Sequence, residues 1–192
     1  VYAKFGEEFP LLIKFIDAKT PLSLQVHPSN EVAKKRHNSL GKNEMWYVMQ
    51  ADKGSELIVG FDEKISVEQF EMHLKNNTIL NVVHHETVSN GDAFYIPKGR
   101  VHAIGAGVLL AEIQQTSNIT YRIYDYDRID AKTGKKRELH NDMALDVIDF
   151  EVYDNYKTDY SLEKNKSNKL VHSPYFKSNI LDINATVDKD YS

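Results

Sequence analysis

The sequence has no cysteine among its 192 residues, only one tryptophan and only five prolines. The absence of cysteine excludes disulfide bonds and thiolate metal sites, so a metal ion would be bound by imidazole, carboxylate or amide oxygen. A chain without disulfides fits the cytoplasm, which is the compartment we expect. Long apolar runs are also missing. The run 108–111 is far shorter than the ~20 residues that cross a bilayer, so no membrane partner is expected.

The charge balance lacks a large excess of either sign. Lysine and arginine number 24 against 28 aspartate and glutamate, which gives a formal net charge of -4. Nucleic acids and anionic membranes bind surfaces with a strong basic surplus, so the charge balance gives no reason to expect either partner. Hydrophobic residues make up 41% of the chain, enough for one substantial core in a chain of this length. We therefore expect one main domain.

Short β-rich runs separated by glycine, proline, asparagine and aspartate fill the first two thirds of the sequence. This pattern predicts an all-β fold with a few helices, arranged as an antiparallel sandwich or barrel. Helices are predicted after the N-caps Ser29 and Ser66, and a third over 141–147. The barrel is expected over 1–150, an exposed linker over 151–169 and the start of a C-terminal strand region over 170–192. The predicted strands are 9–17, 22–27, 43–50, 56–61, 92–97, 108–115 and 120–126.

The strongest local motif lies in the segment 91–102. Gly91 and Asp92 begin a strand, Pro97 and Gly99 end it in a tight turn, and the next strand opens on His102. These offsets resemble the second motif of the cupins, which is specific because turn residues and histidine recur at fixed positions. The resemblance implies a cupin-type jelly-roll β-barrel with His102 as a metal ligand.

The rest of a cupin metal site comes from two earlier strands, and two segments of this sequence fit it. Gln25 and His27 are two residues apart on one predicted strand, so both side chains face the interior. By the same rule Lys42 and Glu44 share a face of a second strand. Most cupins have two histidines where this chain has glutamine and His27. Two imidazoles, one carboxylate and one amide oxygen suit zinc or another borderline divalent ion.

Several segments resemble the class I mannose-6-phosphate isomerases, in particular their short bacterial branch. They are FPLLIKFI from residue 9, QVHP from residue 25, KNEMWY from residue 42, HAIG from residue 102 and TYRIYDY from residue 120. The resemblance implies one zinc ion per chain, bound by Gln25, His27, Glu44 and His102. It also implies interconversion of mannose 6-phosphate and fructose 6-phosphate through an enediol, with a sugar phosphate as substrate.

Family members have further residues before the first segment and after the last residue of this chain, so we expect a chain truncated at both ends. Exposed edge strands could then promote self-association, and the sequence leaves the oligomeric state open.

Aldose–ketose isomerisation moves a proton between two carbons, which requires an acid/base group and stabilisation of the enediolate oxygen. Lys42, beside Glu44, could bind a substrate hydroxyl or transfer a proton. Glu112 corresponds to an inward carboxylate of the family and is the second acid/base candidate. Arg122 corresponds to an arginine at the mouth of the active site and could bind phosphate or the enediolate. Where many relatives have aspartate, this chain has Asn118.

Other interpretations of these residues stay open at this point. Lys42 could simply neutralise Glu44, and Arg122 could be an ion-pair partner that stabilises the fold. Asn118 and the expected truncation favour an alternative function, a non-catalytic sugar-binding or regulatory cupin that keeps the metal. A metal oxidoreductase of the dioxygenase type has a similar barrel but usually has two histidines in the first motif.

Overall fold

Residues 9–188 are described by a computed structural model. Within these residues, three helices and one short 3-10 helix interrupt a mostly β chain. The helices are α1 (Asn30–His37), α2 (Val67–Lys75) and α3 (Asn141–Leu145), and the 3-10 helix is Ile79–Asn81. The strands are β1 (Leu11–Ala18), β2 (Leu24–Val26), β3 (Glu44–Ala51), β4 (Glu56–Phe61), β5 (Val83–Thr87), β6 (Ala93–Ile96), β7 (His102–Ile104), β8 (Val108–Gln115), β9 (Tyr121–Tyr124), β10 (Asn168–His172) and β11 (Lys177–Ile180).

The strands form two large antiparallel sheets and one hairpin. The four-stranded sheet has the order β1-β8-β3-β6, and the five-stranded sheet has the order β5-β4-β7-β2-β9. Strands β10 and β11 form the hairpin. The predicted jelly-roll is confirmed as a sandwich of two facing sheets. Among residues 9–188 no strand pairing joins the two large sheets into a closed barrel.

An apolar core lies between the two sheets. It combines inward side chains of the four-stranded sheet with those of the five-stranded sheet. They include Trp46, Val48, Phe94, Val108 and Leu110 from the first sheet and Leu57, Val59 and Ile104 from the second. Because side chains alternate between faces, the opposite face of each sheet carries its own apolar residues and requires a cover.

Separate layers cover the two outer faces. On the five-stranded sheet, Val26, Ala103 and Ile123 pack against Phe70 of α2 and Ala144 of α3. On the four-stranded sheet, Met45 and Ala93 pack against the β10–β11 hairpin through Leu170, Val171 and Phe176. The described residues thus form four layers, with the two sheets in the middle.

Local sequence signals account for most element boundaries. Ser29 caps α1 by accepting a hydrogen bond from Val32 N at 3.2 Å. Ser66 caps α2 and exchanges hydrogen bonds with Gln69 in a capping box. Strands β4 and β8 have the predicted bounds, 56–61 and 108–115. The predicted helix over 141–147 is shorter and ends at Leu145.

Strand β5 was not predicted. Its sequence, Val83–Thr87, has one apolar residue among five, so it shows little of the alternation that identifies a half-buried strand. It pairs with β4 at the edge of the five-stranded sheet. An edge strand with one solvent-facing side can keep this polar composition.

The segment 151–169 is exposed at most positions, but Tyr156 is buried in the core between the sheets. The predicted division into domains stays a prediction. Its outer ends, residues 1–8 and 189–192, lie outside the described residues. In the described part of the chain no helix has both the length and the apolar character that a bilayer span requires.

Candidate metal centre and active-site cleft

His102 opens β7 and is fully buried. The preceding strand β6 ends at Ile96, and the turn that follows contains Gly99 with a φ of +81°, a conformation that favours glycine. The Nδ1 atom of His102 lies 2.8 Å from the carbonyl oxygen of Arg100. A carbonyl oxygen only accepts, so Nδ1 carries the proton and Nε2 carries a lone pair. Burial lowers the pKa of His102, which favours this neutral form despite the attraction of Glu44.

Gln25 and His27 come from β2 and the residue after it. Gln25 pairs with His102 on the neighbouring strand, and its amide nitrogen lies 3.3 Å from His102 Nε2. The Nδ1 atom of His27 lies 3.0 Å from the carbonyl oxygen of Ile119, which again directs a free Nε2 lone pair inward. Burial lowers the pKa of His27 to about 4, in spite of the nearby Glu44 carboxylate. Both histidines are therefore neutral at physiological pH.

Glu44 reaches both histidines from the opposite sheet. Its Oε2 lies 3.4 Å from His27 Nε2 and its Oε1 lies 3.4 Å from His102 Nε2. Burial alone would raise the pKa of Glu44, but the Lys42 cation outweighs burial and holds it well below its usual range. Lys42 Nζ is 2.8 Å from Oε2. Among residues 9–188, neither carboxylate oxygen has a partner in hydrogen-bond geometry, and His27 Nε2 also has none.

This arrangement fits a metal ion. One potential ligand atom from each of His27, Glu44 and His102 lies within 4.8 Å of the others. Lone pairs that face one another in a buried space repel unless a cation lies between them. The three residues thus form a buried group that could hold a metal ion. Gln25 would join through its amide oxygen after a half-turn of the amide, whose two ends are nearly isosteric.

Glu112 lies next to this group but, unlike Glu44, it accepts hydrogen bonds from protein donors. Its Oε2 accepts a hydrogen bond from Trp46 Nε1 at 3.1 Å, and its Oε1 accepts one from Lys14 Nζ at 2.9 Å. Lys14 also donates to the Gln114 side chain at 2.6 Å. Lys42 Nζ lies 3.8 Å from Glu112 Oε1. Lys42 is therefore placed between the two carboxylates, 2.8 Å from one and 3.8 Å from the other.

Lys14 was missing from the predicted site. On the sequence it is one residue of an ordinary strand, and it is the pairing of β1 with β8 that places it opposite Glu112. A lysine in the middle of a largely apolar strand is the signal that could have identified it.

Arg122 lies on β9 directly beside Gln25. Both line a cleft of about 620 Å³ that also includes Asn118. The Nη1 atom of Arg122 donates to the carbonyl oxygen of Glu138 at 2.9 Å, while its buried Nε has no hydrogen-bond partner in the part of the chain that the structure describes. Burial and the nearby Arg137 lower the pKa of Arg122, although the group stays cationic. The structure thus places Arg122 in a cleft beside Gln25, and its role in binding substrate stays a prediction.

Two further arginines line the same cleft and were missing from the predicted site. Arg128 and Arg137 both donate hydrogen bonds to the carboxylate of Asp125, which is buried. These bonds hold the pKa of Asp125 below its usual value, although burial opposes this. Arg137 belongs to a basic run at 132–137 whose hairpin folds back onto Asp125 through the bridge between Ile129 and Lys136. This fold-back cannot be seen in the local sequence.

Comparison with known proteins gives a consistent result. Residues 1–71 match the family model of the phosphomannose isomerase type I catalytic domain. The chain is 41% identical over 169 residues to the mannose-6-phosphate isomerase of Streptococcus mutans, which covers 88% of this chain and 53% of the relative. It is 45% identical over 145 residues to mannose-6-phosphate isomerase ManA of Bacillus subtilis, covering 75% of this chain and 45% of the relative.

The fold agrees with these sequence matches. The crystal structure of a mannose 6-phosphate isomerase from Bacillus subtilis superposes with a TM-score of 0.81 at 34% identity, covering 90% of this chain and 55% of that chain. The chain spans about half the length of the relatives that it matches.

Proposed function

This chain belongs, over the length that it spans, to the type I phosphomannose isomerase family, and we propose that it carries the metal-dependent catalytic part of such an enzyme. The proposed reaction interconverts mannose 6-phosphate and fructose 6-phosphate through an enediol. One observation carries the proposal. Buried acceptor atoms of His27, Glu44 and His102 converge, and among residues 9–188 neither Glu44 oxygen nor His27 Nε2 has a partner in hydrogen-bond geometry, as expected around a bound cation.

The proposed ligand set is Gln25, His27, Glu44 and His102, with one zinc ion per chain. Two imidazoles and a carboxylate are ligands that zinc accepts, and the absence of cysteine leaves no competing thiolate. Bound there, a divalent ion would polarise a substrate oxygen and stabilise negative charge that develops on it.

The side chains next to the ligands can perform the proton transfers. Glu112 is a buried carboxylate that could accept the proton from one substrate carbon and return it to the neighbouring carbon. Lys42, between Glu44 and Glu112, could donate a hydrogen bond to a substrate hydroxyl and move the hydroxyl proton. Arg122 in the adjoining cleft offers a guanidinium to the phosphate or to the enediolate oxygen.

A coupled assay tests the proposal. Protein loaded with zinc should convert mannose 6-phosphate to fructose 6-phosphate, lose this activity in the presence of a chelator and regain it when zinc is restored. Arg122→Ala should raise KM for the phosphorylated sugar while the metal content stays the same. Binding of mannose 6-phosphate without turnover in metal-loaded protein would overturn the isomerase proposal and favour the non-catalytic sugar-binding alternative, for which Asn118 in the cleft is the motivating residue.

We also propose the cytoplasm as the compartment of this activity. The support is the substrate, because a charged sugar phosphate does not cross a bilayer unaided and is available where it is made. Cell fractionation followed by detection of the protein tests this, and recovery of the protein outside the cytoplasmic fraction would contradict it.

A further inference from the structure

The turn between β6 and β7 contacts both candidate ligand histidines through its backbone. The amide of Gly99 donates to the carbonyl oxygen of His27 at 2.9 Å. One residue later, the carbonyl oxygen of Arg100 accepts from Nδ1 of His102 at 2.8 Å. The position of this turn therefore fixes both the orientation of His102 and the end of the strand that precedes His27.

The Arg100 side chain has no role in the proposed catalysis. It is only 7% exposed, and it does not line the cleft that contains Gln25 and Arg122. Its guanidinium carbon lies 4.2 Å from the ring centre of Tyr153 and 4.9 Å from that of Tyr156. Its Nη2 lies 4.0 Å from a carboxylate oxygen of Asp149. We name Arg100, Asp149, Tyr153 and Tyr156 the arginine clasp.

The arginine clasp is anchored on both sides. The Tyr156 hydroxyl donates to the carbonyl oxygen of Phe61 at 3.0 Å, and its ring is part of the core between the sheets. On the other side, the amide of Asp149 donates to the carbonyl oxygen of Gly99 at 2.8 Å. The clasp thus connects the turn to β4 and to the segment that follows α3.

We propose that Arg100 is a positioning residue for the metal ligand His102. By stacking on Tyr153 and Tyr156, its side chain holds the peptide whose carbonyl oxygen accepts the Nδ1 proton. That hydrogen bond keeps the Nε2 lone pair directed toward Glu44 and Gln25. Groups that orient a ligand in this way contribute to metal affinity although they do not contact the ion. The inference rests on the proposed metal function.

Metal affinity measured without substrate tests the inference. The affinity of the 192-residue chain for zinc is determined by competition with a chromogenic chelator, and the visible spectrum of the cobalt-loaded protein reports the ligand geometry. Arg100→Gln should weaken zinc binding by about tenfold, as changes around metal ligands typically do. It should also alter the cobalt spectrum. Arg100→Lys, which keeps a cation over the rings, should recover part of the affinity.

Two variants at Tyr153 test the clasp with less risk to folding, because this ring is partly exposed. Tyr153→Leu removes the ring and should weaken zinc binding. Tyr153→Phe keeps the ring, loses only the hydroxyl that bonds to Asp149, and should bind zinc like the parent. Arg36→Ala is the matched control. Arg36 also holds the segment around α3, through Asp146 and the carbonyl oxygen of Met143, but it does not touch the turn.

Three outcomes would overturn the inference. Zinc affinity of Arg100→Gln within twofold of the parent would show that the clasp does not position the ligand. An equal loss of zinc affinity in Arg100→Gln and Arg36→Ala would show that the loss comes from general destabilisation of the fold. A parent protein that binds no zinc would overturn the proposed metal site itself and the inference with it. Normal binding by the parent combined with an unchanged Arg100→Gln overturns the inference alone.

Discussion

The space between the two sheets has an apolar end and a polar end, although the same strands build both. Along β3 the inward residues change from Glu44 to Trp46 and Val48, and along β8 they change from Glu112 to Leu110 and Val108. At the apolar end the buried side chains pack against one another. At the polar end the side chains carry charges or lone pairs, and some of these polar atoms have no hydrogen-bond partner among the described residues.

The two buried carboxylates of the polar end show this difference most clearly. Glu112 has donors on both oxygens, from Lys14 and Trp46. Glu44 is fully buried beside two neutral histidines and near the Lys42 cation, and within residues 9–188 neither of its oxygens has a hydrogen bond. A buried carboxylate without hydrogen bonds is costly to fold. Glu112 is thus held in place by protein donors, whereas the Glu44 oxygens are left available to a ligand.

Substitution of the two carboxylates should produce the largest contrast. Glu44→Gln keeps the shape but loses the charge that holds the ion, so zinc affinity should fall by more than about 100-fold. Glu112→Gln should leave zinc affinity within about threefold of the parent, because Glu112 is satisfied by protein donors. Competition with a chromogenic chelator measures both. Equal zinc affinities of Glu44→Gln and Glu112→Gln would contradict the proposed difference between the two carboxylates.

The apolar end should respond through stability instead. Leu110→Ala opens a cavity in a fully buried position and should lower the free energy of unfolding by about 2–5 kcal/mol. Urea denaturation of chelator-treated protein measures this, so that bound metal does not contribute. Zinc affinity of the folded variant should match the parent. A loss below about 1 kcal/mol would mean that the core between the sheets is not closely packed there.

Lys14→Met tests whether Glu112 depends on its protein donors. The substitution leaves buried oxygens of Glu112 and Gln114 without their shared donor and should cost about 1–3 kcal/mol of unfolding free energy. Lys64→Met is the control, because Lys64 makes a highly exposed ion pair with Glu151 that should contribute little. Equal effects of the two substitutions would contradict the role of Lys14.

A smaller effect is expected at His84, on the polar edge strand β5. Burial opposes protonation of His84, but hydrogen bonds with Asp62 and Glu86 raise its pKa above the ordinary value of 6.5. The folded state therefore binds the proton more tightly than the unfolded state. Its contribution to stability is complete below about pH 6.5 and is lost as the pH rises through the raised value.

His84→Gln should thus lower the unfolding free energy by less than about 1 kcal/mol at about pH 5.5, and by still less at about pH 9. Urea denaturation at the two pH values measures this. His172→Gln is the control, because its partner is the neutral amide of Asn179. A larger effect of His84→Gln at high pH would reverse the expected sign.

The fold was largely predictable because its signals are local. The caps Ser29 and Ser66 and the strands 56–61 and 108–115 follow from capping chemistry and from runs of β-forming residues. Strand β5 was missed because an edge strand requires few apolar residues. The sequence also gives no local sign that the hairpin β10–β11 covers the four-stranded sheet, since that contact joins distant parts of the chain.

The candidate site was predictable only in part. The motif around His102 and the two-residue spacing of Gln25 and His27 placed the potential ligands, and the structure brings them together with Glu44. Lys14 and Arg100 were missed because their roles depend on strand register and on a stacked contact more than 50 residues away in the chain. Such contacts leave no periodic pattern in the sequence.

The convergence of His27, Glu44 and His102 on a bound ion is the central claim, and elemental analysis of the purified protein tests it most directly. The parent chain should retain one zinc ion per chain after dialysis, and the double variant His27→Ala, His102→Ala should retain none while its circular dichroism still shows a β fold. Equal metal content in the parent and the double variant would contradict the account.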